Sequence, residues 1–244
     1  LITEDDDEVR CFLERELSPH FKTRTAANGK DALRVLEEEE ISLVVSDVMM
    51  PEMNGFELCR MIKSQLPFSH IPVILLTALT DERQRITGGA DDYIQKPFHT
   101  DYVKIKIIHL LQERRKLRER LLEKLRDNKL LLSEPEKVES IDDAFLRKFA
   151  EQIEAVYADP EYNVEKLSET LGLSRGHLHR KIKELTGTAP VEFLRTYRLN
   201  KATQLLRQNA YTVSEVAYRT GFSSPAYFSK CFKAVYGVTP TEYQ

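Results

Sequence analysis

Leu43-Val44-Val45-Ser46-Asp47 is an apolar, β-branched run, too short for a buried helix and stopped by a carboxylate, so Leu43–Ser46 reads as a strand with Asp47 at its exit. Three more runs have the same form: Leu1–Thr3, Val73–Leu76 and Asp92–Ile94. Amphipathic helical patterns such as Glu8–Leu17 and Lys30–Glu37 separate them. Strand and helix in alternation predict a doubly wound α/β unit, a parallel sheet covered by helices.

In such a sheet the C-terminal strand ends share one crevice. Glu4 and Asp5 follow the first strand, Asp47 the next, Thr77 follows Val73–Leu76, and Lys96-Pro97 follows the strand around Ile94. Hard carboxylate oxygens converging there suit Mg²⁺. Asp47 is placed to attack phosphorus, with Thr77 and Lys96 holding the equatorial oxygens, which makes the edge a phosphoryl site. Asp6, Asp7 and Glu8 are expected to cap the following helix instead, where acidic groups favour its positive end. Glu37–Glu40 reads as a solvated face.

The chain of 244 residues is 41% hydrophobic and 31% charged, enough for two cores and without an apolar run that would span a membrane. Cys11, Cys59 and Cys231 are too few and too scattered for a disulfide framework or a paired metal site, which fits a reducing cytoplasm. The chain opens without Met inside a strand-like run, as expected of a segment of a longer chain or of a regulator lacking its first residues. The net charge of −3 conceals two opposed halves. Residues 1–110 carry 13 basic and 20 acidic side chains, whereas 162–244 carry 12 and 6. The acidic half suits a divalent metal, and the basic half suits a polyanion such as double-stranded DNA.

From Thr100 to Leu132 the pattern is one long charged helix, with apolar residues at 103, 107, 110, 117, 121 and 131 forming a narrow seam. Arg114, Lys124 and Asn128 interrupt that seam, so a weak homodimer is expected of it. Ser133-Glu134-Pro135 breaks the helix, and the remainder reads as helical with Gly and Pro as punctuation.

That remainder contains a repeat. Val164-Glu-Lys-Leu-Ser-Glu-Thr-Leu-Gly172 matches Val213-Ser-Glu-Val-Ala-Tyr-Arg-Thr-Gly221 at an offset of 49. One inserted residue then pairs Leu178, Ile182, Leu185 and Gly187 with Phe228, Phe232, Val235 and Gly237. Each copy is helix, Gly-containing turn, helix, which predicts a double helix-turn-helix. At 100° per residue Leu178, Ile182 and Leu185 share an inner face, leaving Gly176, Arg180 and Lys183 outside with His179 at the flank. In the second copy Phe228, Cys231, Phe232 and Val235 face inward, and Ala226, Lys230 and Lys233 outward with Ser229 at the flank. Ser174 and Ser224 are natural N-caps. Pro190 opens a helix to about Gln208, ~28 Å long, against the ~34 Å between successive major-groove segments, so one chain could enter both.

Ser46-Asp47-Val48-Met49-Met50-Pro51-Glu52-Met53-Asn54-Gly55, with Thr77-Ala78 and Gly89-Ala90-Asp91-Asp92-Tyr93-Ile94-Gln95-Lys96-Pro97-Phe98, resembles a CheY-type response-regulator receiver domain of flavodoxin-like fold. The resemblance implies Asp47 as phosphoacceptor, Glu4, Asp5, Asp47 and the Met49 backbone carbonyl as Mg²⁺ ligands, Thr77 and Lys96 as phosphoryl-binding groups, Tyr93 as an aromatic switch, and a cis Lys96-Pro97 bond. Thr77 to Lys96 spans 19 residues, a few fewer than such receivers have. The shortfall falls around Ile86-Thr87-Gly88-Gly89, so either the helix there is shortened or a stretch is missing. Residues 141–244 resemble the AraC-type DNA-binding domain, through Asn163–Gly187, Pro190–Leu199, Val213–Ala217, Gly221-Phe222, Ala226–Lys230 and Gly237–Tyr243. Together with the basic outer stripes, that resemblance implies DNA contacts by Arg175, Gly176, His179, Arg180 and Lys183 in the first copy and by Pro225, Ala226, Ser229 and Lys230 in the second. Arg195 and Arg198 are expected on the helix surface, touching at most phosphate.

A receiver domain (1–110), a linker helix and hinge (111–139) and an AraC-type domain (140–244) resemble the output end of hybrid two-component sensors. The expected partners are double-stranded DNA, the phosphohistidine of a sensor kinase, separate or in the same chain, and a second copy. No membrane contact is expected within this segment, which would be cytoplasmic or the cytoplasmic end of an anchored chain. An enzyme is not expected beyond slow self-dephosphorylation. A haloacid-dehalogenase-type phosphatase would carry a second Asp two positions after its nucleophile, where Met49 stands. The other alternative, a phosphorylation-independent DNA-binding module with a degenerate receiver, sits poorly with the complete Asp47, Thr77 and Lys96 set.

Overall fold

A computed structural model describes residues 1–78, 89–126 and 140–244, the side chains of 120–126 excepted. The expectations for Ile86–Gly88, for residues 121 and 131 of the seam, and for the break at Ser133–Pro135 lie outside the described residues. The chain divides into two compact units, Leu1–Leu117 and Arg118–Gln244.

In the first unit, β1 (Ile2–Thr3), α1 (Asp7–Leu17), β2 (Thr25–Ala26), α2 (Gly29–Glu38), β3 (Val44–Asp47), α3 (Gly55–Ser64), β4 (Val73–Thr77) and β5 (Asp92–Gln95) precede the long helix α4 (Thr100–Arg126). All strand pairs are parallel, in the order β2-β1-β3-β4-β5, the doubly wound flavodoxin-like topology. Every residue of β3 and β4 is buried. Successive side chains serve opposite cores: Val44, Val73 and Leu75 pack with Leu36, Leu58 and Ile62, whereas Val45, Ile74 and Leu76 pack with Leu13, Leu17, Val103 and Ile107. β2 was not foreseen, because Thr25–Ala26 is two residues long and held by register rather than by an apolar run. Cys59 is fully buried under this sheet, and burial pushes its thiol up to about 11.

The seam foreseen along α4 needs correction. Val103 and Ile107 are buried in the core of the first unit and Leu110 packs against it, so these positions are spent on the sheet. Among its described side chains, the large apolar ones that α4 exposes are Tyr102, Ile105, Ile108 and Leu117.

The second unit comprises α5 (Ile141–Val156), α6 (Val164–Leu171), α7 (Arg175–Thr186), α8 (Pro190–Arg207), α9 (Val213–Arg219), α10 (Pro225–Tyr236) and α11 (Pro240–Tyr243). The repeat is visible in the backbone. Gly172 and Gly221 are left-handed, with φ of 68° and 80°, and so are Gly187 and Gly237, at 75° and 78°. The structural repeat is longer than the sequence match, since α5 begins at Ile141 and α8 at Pro190, again 49 residues on. Helix α8 therefore closes the first copy and opens the second. Leu199, Ala202 and Leu206 of α8 share one core with Val216, Phe222, Phe228 and Phe232, while its Phe193 ring lies 4.8 Å from Phe149 of α5.

Gly172 and Gly221 share a backbone conformation but not their surroundings. A Cβ on Gly172 would meet nothing within 4 Å, whereas one on Gly221 would fall 2.1 Å from the Tyr157 carbonyl oxygen and 2.8 Å from Arg198 Nε. Gly172→Ala should then cost ~1–2 kcal/mol for the left-handed residue alone, and Gly221→Ala ~2–4 kcal/mol once the clash is added. Urea unfolding followed by far-UV circular dichroism measures both, and equal losses would show that the contact at Gly221 relaxes freely.

Candidate functional site

The parallel register carries the reactive groups to one edge. Strands β3 and β4 each run one residue further than foreseen, so Asp47 and Thr77 are the last strand residues rather than the first loop residues. Both are buried, as is Glu4 at the exit of β1. The Glu4 N–H donates to the Ala26 carbonyl, and the Arg10 guanidinium donates to the carbonyls of Glu4 and Asp5 at 2.7 and 3.3 Å, holding the β1 exit against α1. Asp6 caps α1 as foreseen, accepting from the N–H groups of Glu8 and Val9.

Lys96 directly follows β5, its backbone N–H donating to the Thr77 carbonyl at 2.8 Å, and the bond from it to Pro97 is cis as foreseen. Its ammonium lies 2.9 Å from Asp47 Oδ1 and 3.1 Å from Glu4 Oε2. Glu4, Asp5 and Asp47 each offer an oxygen within 4.8 Å of the others, and Asp5 is exposed. Three carboxylates against one ammonium leave excess negative charge. Burial, then the neighbouring Asp47, raises the Glu4 carboxyl above its ordinary range, against the opposing pull of Lys96. Burial works against the Lys96 ammonium, but its bonds to Asp47 and Glu4 outweigh it and its pKa is raised. A hard divalent cation fits this donor set, because it would offset the charge that Lys96 leaves uncompensated.

The remaining foreseen residues are placed as follows. Tyr93 is half-buried on β5 opposite Leu75, packs against the α2–α3 side of the sheet, and its hydroxyl accepts from the Ala90 N–H at 3.4 Å. The Met49 side chain is 70% exposed, in the loop between β3 and α3. That loop ends at Gly55, the last residue of the Ser46–Gly55 motif, for which spacing alone gives no role. A Cβ on Gly55 would lie 2.2 Å from the Asp47 carbonyl oxygen, so glycine is what lets α3 start against the Asp47 backbone.

In the second unit Ser174 and Ser224 cap α7 and α10, accepting from the N–H groups of His177 and Tyr227. On α7 Leu178, Ile182 and Leu185 are buried, Arg175, Gly176 and Lys183 are exposed, and His179 and Arg180 are half-buried. Arg175 pairs with Glu165 of α6 at 2.8 Å. On α10 Ala226, Lys230 and Lys233 are exposed, while Pro225 and Ser229 are half-buried with the Ser229 hydroxyl donating to the Pro225 carbonyl. Val235, foreseen as inward, is 50% exposed. Its partner position Leu185 is buried, so the two copies differ at the C-terminal end of this helix.

Two basic residues read differently in three dimensions. Arg198 is not a surface charge: its Nε and Nη2 donate to the carbonyls of Tyr157 and Asp159 at 2.7 and 2.6 Å, tying α8 to the end of α5. Lys181, not singled out by helical angle, is fully buried with its ammonium 2.6 Å from Asp142 and 5.0 Å from the Phe145 ring centroid.

Residues 1–108 match the family described as response regulator receiver domain, and residues 167–244 the family described as helix-turn-helix domain. The chain is similar to histidine kinase P4 of Formosa agariphila, 38% identical over 247 residues that cover 100% of this chain and 18% of that protein. It is also similar to the transcriptional regulatory protein GltR of Pseudomonas aeruginosa, 43% identical over 116 residues, covering 46% of this chain and 48% of that one. Among solved structures, the signal receiver domain of a signal transduction histidine kinase from Syntrophus aciditrophicus is 38% identical over 46% of this chain and 88% of its own, with a TM-score of 0.44. The chain thus spans less than half the length of either curated relative.

Two outcomes follow from the site. The Glu4 carboxyl binds its proton more tightly folded than unfolded, so with chelator present the wild-type chain should lose stability relative to Glu4→Gln as pH rises from about 4.5. Thermal melts of both at stepped pH read this, and a constant difference would contradict it. Arg198→Ala should cost ~2–4 kcal/mol, because it strips two carbonyls of charge-assisted bonds, and should leave the salt dependence of any DNA binding unchanged.

Proposed function

We propose, from the pairing of a response regulator receiver match over residues 1–108 with a helix-turn-helix match over residues 167–244, that the chain is a phosphorylation-controlled, DNA-binding transcription regulator of a two-component system, its helix-turn-helix domain of AraC type. The observation that carries the reading is the Lys96 ammonium seated between Asp47 and Glu4 at the sheet edge, with Thr77 beside it on β4. A carboxylate oxygen of Asp47 attacks the phosphorus of a sensor kinase's phosphohistidine, on a separate protein or in the same chain. The P–N bond breaks and its electron pair returns to the imidazole nitrogen. Lys96 then exchanges a carboxylate oxygen for a phosphoryl oxygen, and the Thr77 hydroxyl donates to another. Glu4, Asp5, Asp47 and the Met49 carbonyl would hold Mg²⁺, which supplies charge neutralisation at the transferred group. With Met49 two positions after the acceptor there is no general acid for turnover, so the chain is read as a phosphoacceptor rather than an enzyme.

The output is double-stranded DNA. Arg175, Gly176, His179, Arg180 and Lys183 of α7 and Pro225, Ala226, Ser229 and Lys230 of α10 form the reading surface, α8 spacing the two copies by its 18 residues. Arg180 is suited to a guanine O6 and N7, and Lys230 to a second position about one helical turn away. Phosphorylation favours a homodimer, for which α4 offers Tyr102, Ile105, Ile108 and Leu117. Among the described residues no helix is long and apolar enough to cross a membrane, and the chain is read as acting in the cytoplasm, on its own or as the end of an anchored protein.

Acetyl phosphate with Mg²⁺ should add one phosphoryl group to the wild-type chain and none to Asp47→Asn, read by intact mass; equal labelling of both would overturn the assignment. Sedimentation with and without a phosphoryl mimic should show association only with it. An unchanged monomer at high micromolar concentration in both states would remove the dimer from the proposal.

A further inference from the structure

Eight of the nine glycines lie among the described residues, and seven of them answer to the fold. Gly89, Gly172, Gly187, Gly221 and Gly237 have positive φ. A Cβ would fall 2.6 Å from the Met53 side chain at Gly29 and 2.2 Å from the Asp47 carbonyl oxygen at Gly55. Gly176 has neither reason. It sits in the first turn of α7 with an ordinary helical backbone, and a Cβ built on it meets nothing within 4 Å. Alanine would fit there and would favour the helix, since glycine is the poorest helix former after proline.

Space kept open at a cost to the helix, with nothing among the described residues to fill it, points to a body outside the chain. The surroundings say what kind. Gly176 is exposed on the face of α7 that carries Lys183, next to Arg175 and away from the buried Leu178, Ile182 and Leu185. This is the basic outer face, and the same position in the second copy is Ala226, also exposed. Glycine is the residue that admits a ligand to van der Waals contact with backbone.

We propose that Gly176 is where double-stranded DNA touches the backbone of α7, so that the first copy selects its sequence partly by steric fit at a bare Cα. The inference rests on the DNA-binding reading above and adds the manner of reading. A side chain at 176 would hold the helix off the groove and withdraw Arg180 and His179 from the base edges. Contact with a base edge and contact with the sugar-phosphate both belong to the same DNA, and they differ in whether the loss depends on sequence.

The test uses the full chain and a duplex that the wild type selects from a random pool. Gly176→Ala and Gly176→Ser should melt no lower than wild type, yet bind that duplex about tenfold or more weakly. If the base edge is the contact, single-base variants at one position should recover affinity for Gly176→Ala; if the sugar-phosphate is, all sequences should weaken alike. Unchanged affinity in a variant that melts at or above wild type would overturn the proposal. So would a large loss of stability, which would give Gly176 a role inside the fold. A wild-type chain that selects no duplex would overturn the DNA-binding reading together with this inference.

Discussion

Bringing carboxylates to one sheet edge costs charge repulsion and desolvation, and a single ammonium offsets part of it. Lys96 reaches Asp47 and Glu4 at 2.9 and 3.1 Å because β5, which it directly follows, pairs in parallel with β4. The register of five strands is therefore also the geometry of the site. Pair Asp47 with Leu76 and Thr77 with Gln95, and the carboxylate, the hydroxyl and the lysine come out at one level. A slip of one residue would turn every β4 side chain to the other core and carry Thr77 away with them. Fold and chemistry thus depend on the same hydrogen-bond ladder.

The second unit meets a different constraint, that two small helical copies must each bury a core. Helix α8 meets it for both, standing to the second copy as α5 stands to the first. That sharing explains the offset of 49 between the helix starts, and why the ties converge on α8: Phe193 packs on Phe149, Arg198 binds the carbonyls of Tyr157 and Asp159, and Asn200 accepts from the Tyr236 hydroxyl at 2.6 Å. Arg198 is thus tied into the fold through two backbone carbonyls rather than standing as a surface charge. Its neighbour Gly221 is a glycine for the same reason.

How far the sequence could be read follows from which forces leave a local mark. Runs such as Val73–Leu76 are buried on both faces, so composition alone reveals them, and the carboxylates and Lys96 follow from strand ends. The N-caps Asp6, Ser174 and Ser224 were legible because capping is a local interaction. What could not be read depends on partners distant in the chain. β2 exists because β1 gives it a register, Val103 and Ile107 face a sheet instead of a second helix, and the guanidinium of Arg198 finds carbonyls 39 and 41 residues away. Periodicity reports that a side chain is covered; it does not report by what.

Lys181 shows the limit of reading one copy from the other. The repeat sets Cys231 opposite Lys181 and Val191 opposite Asp142, so the second copy fills with an apolar side chain the position where the first buries an ammonium. The packing of a helix-turn-helix core therefore does not require the ion pair. A buried pair of this kind gains little over an apolar replacement, but removing one partner alone costs roughly 3–5 kcal/mol. Its net effect is to penalise every arrangement in which α5 and α7 are displaced from each other, since any of them strands a buried charge. The second copy, with Cys231 and Val191 at the equivalent positions, has no such penalty at this contact.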